Sequence, residues 1–403
     1  MRVTVLGSTG SIGVNTLDVV RQHGGRFQIH ALVAGRNLDV LCSQIMEFRP
    51  KVVCVADEDV RQALNIRLNE VGLPKTEWPE LTAGAAARVQ AATAPEVEFV
   101  MSAIVGVAGL QATYEAIKAK KRIGLANKEA LVASGKLVMD AVRSAKTSLI
   151  PVDSEHNGAH QCLRAGTSSE VTRLILTASG GPFRDTPRDQ LWSVTPEQAL
   201  NHPTWKMGRR ITVDSATLMN KGFEVIEACW LFNMPPAKVE VVVHPQSSIH
   251  AMVEYNDGSI IAQVSATDMR MPIQYAMTYP ARDKAPVPRL DWTQSRTWTF
   301  SAPDMHKFRL LALAYQAQEQ GGSATCTLNA ADEVAVEAFL EGRIPFPAIA
   351  ETVEETLSRL PPREPATIEE VLAIDLASRD LARQIVAEPR PVSLDTGAGN
   401  RGS

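Results

Sequence analysis

"VTVLGSTGSIG", residues 3–13, decides the fold. A β-branched apolar run ends at Gly7, and Gly10 and Gly13 follow at intervals of three before a helical pattern begins. A strand that turns through glycines into a helix brings backbone N–H groups to the helix N-terminus, where a pyrophosphate can approach closely. The spacing is GxxGxxG rather than GxGxxG, so a structural glycine turn stays open as the plain alternative. Its place at the first strand-to-helix turn of the chain is what directs it toward a dinucleotide.

Working outward, short apolar runs alternate with amphipathic segments through residue 150. "FQIHALVAG", "VVCVA", "VEFVMSAIV", "RIGLA" and "SLIPV" are the further expected strands, with "NTLDVVRQHG", "NLDVLCSQIMEF" and "LQATYEAIKAKK" as helices between some of them. That alternation predicts an α/β unit, a Rossmann-like doubly wound parallel sheet over residues 1–150. From residue 151 the texture changes. "VTRLILTAS", "VEVVVHP", "SSIHAMVEY" and "SIIAQVSA" are β-rich, "YNDGS" is a hairpin turn, and "DSATLMNKGFEVIEACWLF" reads as one helix. A central α+β catalytic domain with an open sheet is expected over 151–280, and a proline-rich connector over 281–304. Ile349, Val353, Leu357 and Leu360 recur at helical spacing, and Thr367 with Glu370 has a capping-box signature. A small C-terminal helical domain is therefore expected over 305–388, with 389–403 as a disordered tail.

Composition excludes several classes. The chain has 403 residues, 45% of them hydrophobic and 21% charged, which suits two or three globular domains. A formal charge of -4 carries no electrostatic footprint for nucleic acid. Five scattered cysteines without a CxxC argue for a reducing compartment and against structural zinc. "FVMSAIVGVAGL" is too short to span a bilayer, and a strand beginning at residue 2 leaves no room for a targeting peptide. A cytoplasmic enzyme or binding protein is the expectation, with no membrane partner.

The second expected strand ends in Gly35, Arg36 and Asn37, with no acid until Asp39. An NAD-preferring site has an acid there for the ribose 2′-hydroxyl, whereas a guanidinium suits a 2′-phosphate, so NADPH is expected.

Four polar clusters then follow apolar segments: "LANKEALV", "PVDSEHNGAH", "LTASGGPF" and "HPTWKMGRRITVDSATLMNKGFEVIEA". Asp153 and Glu155, two apart in an extended segment, place both carboxylates on one side. If Ser215 caps the following helix, Asn220 and Glu224 stack four apart on one face, with Lys221 adjacent. Three carboxylates (Asp153, Glu155, Glu224) would form a hard oxygen site for Mg²⁺ or Mn²⁺, with Co²⁺ as a further candidate. The competing zinc pair, His156 and His160, lacks both the HExxH glutamate and a nearby thiolate. Ser179, Ser215, Asn220 and Lys221 suit a phosphate pocket, although Ser215 serves equally well as a plain N-cap. "HPTWKMGRR" reads as a lid around Trp205 or as a surface loop with one buried aromatic.

Taken in order, "GSTGSIG", "ANKE", "VDSEHNG", "SGGPF" and "VDSATLMNKG.E" make the chain resemble the 1-deoxy-D-xylulose 5-phosphate reductoisomerases, from residue 1 to about 390. The resemblance implies an NADPH- and divalent-metal-dependent homodimer that converts 1-deoxy-D-xylulose 5-phosphate to 2-C-methyl-D-erythritol 4-phosphate for isoprenoid precursors. It implies that Thr9, Gly10, Ser11 and Ile12 line the cofactor pyrophosphate, that Gly35, Arg36 and Asn37 meet the adenosine end, and that Asn127, Glu129 and Gly208 touch the nucleotide. Asp153, Glu155 and Glu224 match metal ligands. Lys128, Ser154, Glu155, Ser179, His202, Ser215, Asn220, Lys221 and Glu224 match substrate positions, with Lys128 also able to stabilise developing charge. A retro-aldol and aldol route and a direct ketol shift both fit. Two rivals are a phosphometabolite dehydrogenase without rearrangement, and a catalytically silent NADPH-binding sensor. Neither has a use for three convergent carboxylates.

Overall fold

The computed structural model describes residues 1–204 and 207–388. Two sheets organise it. The first is built from β1 (Arg2–Leu6), α1 (Ser11–Gln22), β2 (Gln28–Val33), α2 (Leu38–Phe48), β3 (Val52–Val55), α3 (Glu58–Glu70) and β4 (Glu80–Ala83). It continues through α4 (Gly84–Thr93), β5 (Phe99–Ser102), α5 (Leu110–Lys118), β6 (Arg122–Leu125), α6 (Glu129–Ala145) and β7 (Leu149–Pro151). All seven strands run parallel in the order β4-β3-β2-β1-β5-β6-β7. The order reverses between β1 and β5, so a crevice opens beyond their carboxyl ends, as in other doubly wound sheets. Capping fixes where the helices start: Asn37 Oδ1 accepts from Val40 N at 3.3 Å and Asp57 Oδ1 from Val60 N at 2.9 Å.

The second sheet follows α7 (Ser154–Cys162). It contains β8 (Val171–Ala178), then α8 (Pro196–Leu200), α9 (Arg209–Ala216), α10 (Met219–Phe232), β9 (Val239–Val243), β10 (Ile249–Tyr255) and β11 (Ile260–Val264). Its order is β11-β10-β8-β9, with β8 and β9 parallel and the other pairs antiparallel. The hairpin turn falls where "YNDGS" places it, with Tyr255 N donating to Ser259 O at 2.9 Å. One face packs on α7 and α10 through Ala159, Cys162, Val225 and Ala228. The other carries the cross-strand ion pairs of Arg173 with Glu240 and Glu254. This alternation of apolar and polar faces is what an open sheet covered on one side requires.

The chain ends in α11 (Arg270–Thr278), α12 (Arg309–Gln320), α13 (Ala324–Leu340), α14 (Ala348–Arg359) and α15 (Ile368–Ala387). α11 returns to the first sheet, where Ile273, Ala276 and Met277 join the core beneath α1. α15 covers the opposite face through Ile368, Val371 and Ile374. The last helices share a core with α9 and α10, in which Phe223, Leu310, Leu328 and Phe339 are all at most 2% exposed. Burying each such side chain contributes about 1.5–3 kcal/mol, so the C-terminal helices are anchored to the elements that carry the site.

Three local expectations change. β4 is a strand that the apolar pattern does not announce: "ELTA" is short, sits at the sheet edge and is only partly buried. "DSATLMNKGFEVIEACWLF" is two helices, not one, broken at Thr217 and Leu218, where Leu218 has φ +60°. Ser215 therefore lies in the last turn of α9 and caps nothing. Trp205 and the tail 389–403 lie outside the described residues. Among the described residues no helix is long and apolar enough to cross a membrane.

Candidate active site

The glycine turn is shaped by backbone contact. Gly7 N and Ser8 N both donate to Val33 O, at 2.8 and 2.9 Å. A Cβ on Gly7 would lie 2.4 Å from Ala103 O, so only glycine lets the end of β1 close against the end of β5. α1 begins without a side-chain cap, and its first helical bond is Val14 N to Gly10 O at 2.9 Å. Gly10 N is taken by Gly7 O at 3.1 Å, whereas the amides of Ser11, Ile12 and Gly13 precede that first bond and have no helical carbonyl to take them. A helix end of this kind can take an anion.

Beyond the end of β2, Gly35 has open space around it, and Asn37 caps α2. Arg36 pairs with Asp57 at 2.6 Å, with both side chains largely exposed. Asn127 is committed to the backbone: it donates to Ile104 O and, at 2.8 Å, to Gly106 O, and accepts from Ala130 N at 3.2 Å. Gly208 caps α9, and Glu129 opens α6 facing Arg210.

The three predicted carboxylates converge. Asp153, Glu155 and Glu224 each offer an oxygen within 4.8 Å of the others. The route differs from the expected one. Asp153 and Glu155 are not in an extended segment; Asp153 is the N-cap of α7 and accepts from Glu155 N at 3.3 Å, so the cap itself sets the two side by side. Glu224 comes from α10, where Asn220 Nδ2 donates to its Oε1 at 2.6 Å, the i,i+4 relation that the sequence spacing implies.

Two buried ammonium groups flank this cluster. Lys128 Nζ lies 2.6 Å from Asp153, 3.4 Å from Glu224 and 2.8 Å from Asn220 Oδ1. Lys221 pairs with Glu224 and lies 3.9 Å from Glu155. Burial works against both charged lysines, but the carboxylates more than offset it and hold both above their ordinary range. The carboxylates split. Despite burial, Lys221 and His250 hold Glu155 well below the usual range, whereas burial pushes Glu224 up to about 7 against the pull of Lys221. Ser154 Oγ donates to Glu155 at 2.9 Å.

His156 and His160 share α7 but do not face a common ion. His156 bonds Glu224 O at 2.7 Å and lies 3.0 Å from Glu227; burial opposes its charge, yet Glu227 raises it to about 9. His160 meets Tyr275 Oη at 2.9 Å, and burial lowers it to about 4. The zinc pair gives way to one charged and one neutral supporting histidine.

The expected phosphate pocket divides. His202 Nε2 lies 3.1 Å from Ser179 Oγ and 3.0 Å from Ser215 Oγ, while its Nδ1 accepts from Thr204 N. With Nδ1 accepting, a neutral ring carries its proton on Nε2, toward the two hydroxyls. A Cβ on Gly181 would lie 2.6 Å from Ser215 O, and Gly180 has φ +87°, so each of the two glycines after Ser179 has its own reason. Asn220 and Lys221 instead turn to the carboxylates.

Glu227 and His250 are absent from the sequence reading. Glu227 is three residues beyond Glu224 on one helix face, a spacing that signals it; His250 sits in a β-rich run with nothing local to mark it.

With this geometry in hand, the comparisons are specific. Family models match in three segments: 1-deoxy-D-xylulose 5-phosphate reductoisomerase over residues 3–135, and two models of its C-terminal domains over 149–232 and 264–381. The 1-deoxy-D-xylulose 5-phosphate reductoisomerase of Solibacter usitatus is 65% identical over 383 residues, covering 95% of this chain and 96% of that one. The chain belongs to the 1-deoxy-D-xylulose 5-phosphate reductoisomerase family. Among solved reductoisomerase structures, the Zymomonas mobilis enzyme in complex with NADPH aligns with TM-score 0.90 and 44% identity, over 96% of this chain and 99% of that one. A reductoisomerase in complex with NADPH, fosmidomycin and magnesium aligns with TM-score 0.89 and 39% identity, over 96% and 98%.

Proposed function

We propose that this reductoisomerase converts 1-deoxy-D-xylulose 5-phosphate to 2-C-methyl-D-erythritol 4-phosphate in isoprenoid precursor synthesis, with NADPH as reductant and a divalent cation as cofactor. The observation that carries the reading is the convergence of Asp153, Glu155 and Glu224 within 4.8 Å between the ammonium groups of Lys128 and Lys221. Three anionic oxygens at one point are a donor set for a hard cation such as Mg²⁺ or Mn²⁺, and a dehydrogenase without rearrangement has no use for them. Bound there, the cation would supply Lewis-acid stabilisation of negative charge on the substrate's oxygens.

The side chains divide the remaining work. Lys128, buried and held protonated, stabilises the oxyanion that develops as the carbon skeleton rearranges and the aldehyde accepts hydride. Ser154 and Asn220 orient substrate hydroxyls beside the carboxylates. Ser179, His202 and Ser215 bind the phosphate, whose remote binding energy aligns the reacting end. The α1 N-terminus takes the NADPH pyrophosphate, and the Gly35–Asn37 turn takes the 2′-phosphate. Residues 1–150 form the cofactor unit, 151–280 the catalytic unit and 305–388 the helical unit in this reading. Family matches that end at 135 and begin at 149 support the first boundary; the third match begins at 264, and the last helices share a core with α9 and α10, so the catalytic and helical units are packed as one.

The test follows NADPH oxidation with 1-deoxy-D-xylulose 5-phosphate, with and without Mg²⁺ or Mn²⁺, and identifies the product. Metal-dependent oxidation yielding the branched tetritol phosphate is expected. Equal turnover in a chelator, or a product with an unrearranged skeleton, would remove the proposal.

Arg36 carries the cofactor preference. An exposed ion pair such as Arg36–Asp57 is worth about 0–1 kcal/mol, so a dianionic phosphate displaces Asp57 readily. Arg36→Asp should lower the NADPH-to-NADH ratio of kcat/KM by roughly 10–100-fold, the equivalent of about 1.4–2.8 kcal/mol. An unchanged ratio would refute the assignment.

A homodimer belongs to the same proposal. β11 is an edge strand on which Ile260 and Ile261 are exposed, an unpaired apolar edge that a second copy would cover. A single-chain mass in solution would exclude it.

A further inference from the structure

Away from the three carboxylates, a second charged cluster lies where the C-terminal helices meet the start of α6. Its centre is Arg210, at the beginning of α9, whose side chain is 17% exposed. Arg210 Nη1 lies 3.4 Å from Glu129 Oε1 and 2.5 Å from Glu333 Oε1, and Nη2 donates to Asn329 Oδ1 at 3.1 Å. One guanidinium thus joins α6, α9 and α13. Glu333 also pairs with Arg379 of α15, which Asp375 holds at 2.6 Å. The network reaches the crevice a second time: a Cβ on Gly106, in the loop after β5, would lie 3.2 Å from Glu333 Oε1. The carbonyl of the same Gly106 accepts from Asn127, two residues before Glu129.

We propose that Arg210 is a positioning residue for the cofactor half of the site: by clamping Glu129 to α13 it lets the C-terminal helices set how tightly NADPH is held. The inference rests on the reading above that the start of α6 borders the nucleotide. Among the described residues Arg210 pairs with Glu129, Asp214, Asn329, Asp332 and Glu333 rather than with the three carboxylates or the Ser179–His202–Ser215 string, so it acts through Glu129 and the Gly106 loop. Its planar fork suits the task, because a guanidinium reaches several acceptors in fixed directions and an ammonium does not.

Charge balance decides how the clamp holds. Among the described residues, Glu129, Asp214, Asp332, Glu333 and Asp375 form ion pairs within 4 Å with two cations, Arg210 and Arg379. Asp332 is fully buried, and among the described residues no N–H reaches either of its oxygens or Asp214 Oδ1, which leaves the two carboxyls to each other. Arg210 is 3.7 Å from Asp214 and 3.8 Å from Asp332, beyond hydrogen-bond length. Two adjacent buried carboxyls resolve this by sharing one proton. Burial, reinforced by the charge of Asp214, raises Asp332 well above the usual range; burial raises Asp214 to about 6, against Arg210 and with Lys128 also lowering it. While the proton stays, the charge of Arg210 remains available to Glu129 and Glu333.

The experiment measures NADPH dissociation constants by titration calorimetry without substrate, together with thermal midpoints and steady-state kinetics, for full-length protein. Arg210→Met should weaken NADPH binding at least tenfold while kcat at saturating NADPH falls by a smaller factor, and Arg210→Lys should lie between. Glu333→Gln, which removes the charge that ties α13 to Arg210 and Arg379 but leaves the Asn329 bond and the Arg210–Glu129 pair, should weaken NADPH at least threefold and keeps the test open if Arg210→Met does not fold. Unchanged NADPH affinity in either folded variant overturns the inference, as does a loss of every parameter only in proportion to the folded fraction. Wild-type protein that binds no NADPH would instead sink the functional reading itself. Asp332→Asn supplies permanently the N–H that the shared proton supplies, so NADPH affinity should stay within twofold; a larger loss would overturn the clamp's charge balance. Because the raised carboxyl binds a proton in the folded state that the unfolded chain releases, wild-type stability should fall as pH rises from the unfolded value of 3.8 through the raised folded value, and Asp332→Asn should remove that slope.

Discussion

Glu224→Gln is expected to lower metal-dependent turnover about a thousandfold or more, roughly 4 kcal/mol of lost transition-state stabilisation, while the protein stays folded. The substitution keeps shape and the acceptor for Asn220 Nδ2, and removes only charge. Lys128 retains Asp153 at 2.6 Å and Lys221 retains Glu155 at 3.9 Å, so neither buried ammonium is stranded. What the site loses is one of three anionic donors. Changes to residues that merely support a metal ligand cost about 10–100-fold, so loss of a ligand itself should cost more. Turnover measured across a Mg²⁺ or Mn²⁺ series, with circular dichroism to confirm folding, checks it. Activity within tenfold of wild type at saturating metal would mean that Glu224 holds no cation. The two glutamates sit in different fields: Lys221 and His250 hold Glu155 well below the usual range despite burial, whereas burial pushes Glu224 up to about 7 against Lys221.

The sequence makes the framework legible where physics is local. β1, the glycine turn and α1 follow from eleven consecutive residues, and the Asn220–Glu224 pairing from a four-residue interval. The solved reductoisomerase structures align along nearly the whole chain, as the motif order implies. Local signals fail where a break has no breaker. Leu218 takes a left-handed conformation that leucine rarely adopts, so nothing in "DSATLMNKG" distinguishes two helices from one capped at Ser215. β4 fails for the opposite reason, since an edge strand of four partly exposed residues needs no apolar run. Glu227 is visible by helical spacing, but Arg210 and its partners are not. Glu129, Asn329 and Glu333 lie 81, 119 and 123 residues from Arg210, and only tertiary packing brings them together. The arrangement of Asp153 and Glu155 is right for the wrong reason: a helix cap, not strand alternation, aligns them.

Gly13→Ala is expected to weaken NADPH binding about a hundredfold, roughly 2.8 kcal/mol, and to lower the thermal midpoint as well. The added methyl would lie 2.3 Å from Gly7 O and 2.5 Å from Ser8 C and Cα. All three are backbone atoms of the turn, so no side chain can swing aside. Either the turn opens or α1 slides outward, and overpacking of this kind costs about 1–3 kcal/mol of stability. Both movements displace the helix N-terminus from the position it must hold to meet a pyrophosphate. Gly10→Ala makes the informative contrast. Its methyl would meet only Gly7 O, at an ordinary 3.5 Å, and Gly10 has φ −79°, so the fold should tolerate it with little change in thermal midpoint. The same methyl would project from the exposed N-cap over which the phosphates are expected to pass, so affinity should fall without stability. Fluorescence titration with NADPH beside thermal melts of both variants separates the cases. If Gly10→Ala binds NADPH like wild type, the pyrophosphate does not rest on the α1 N-terminus; if Gly13→Ala melts like wild type, the turn is not held by the contact that makes glycine necessary there.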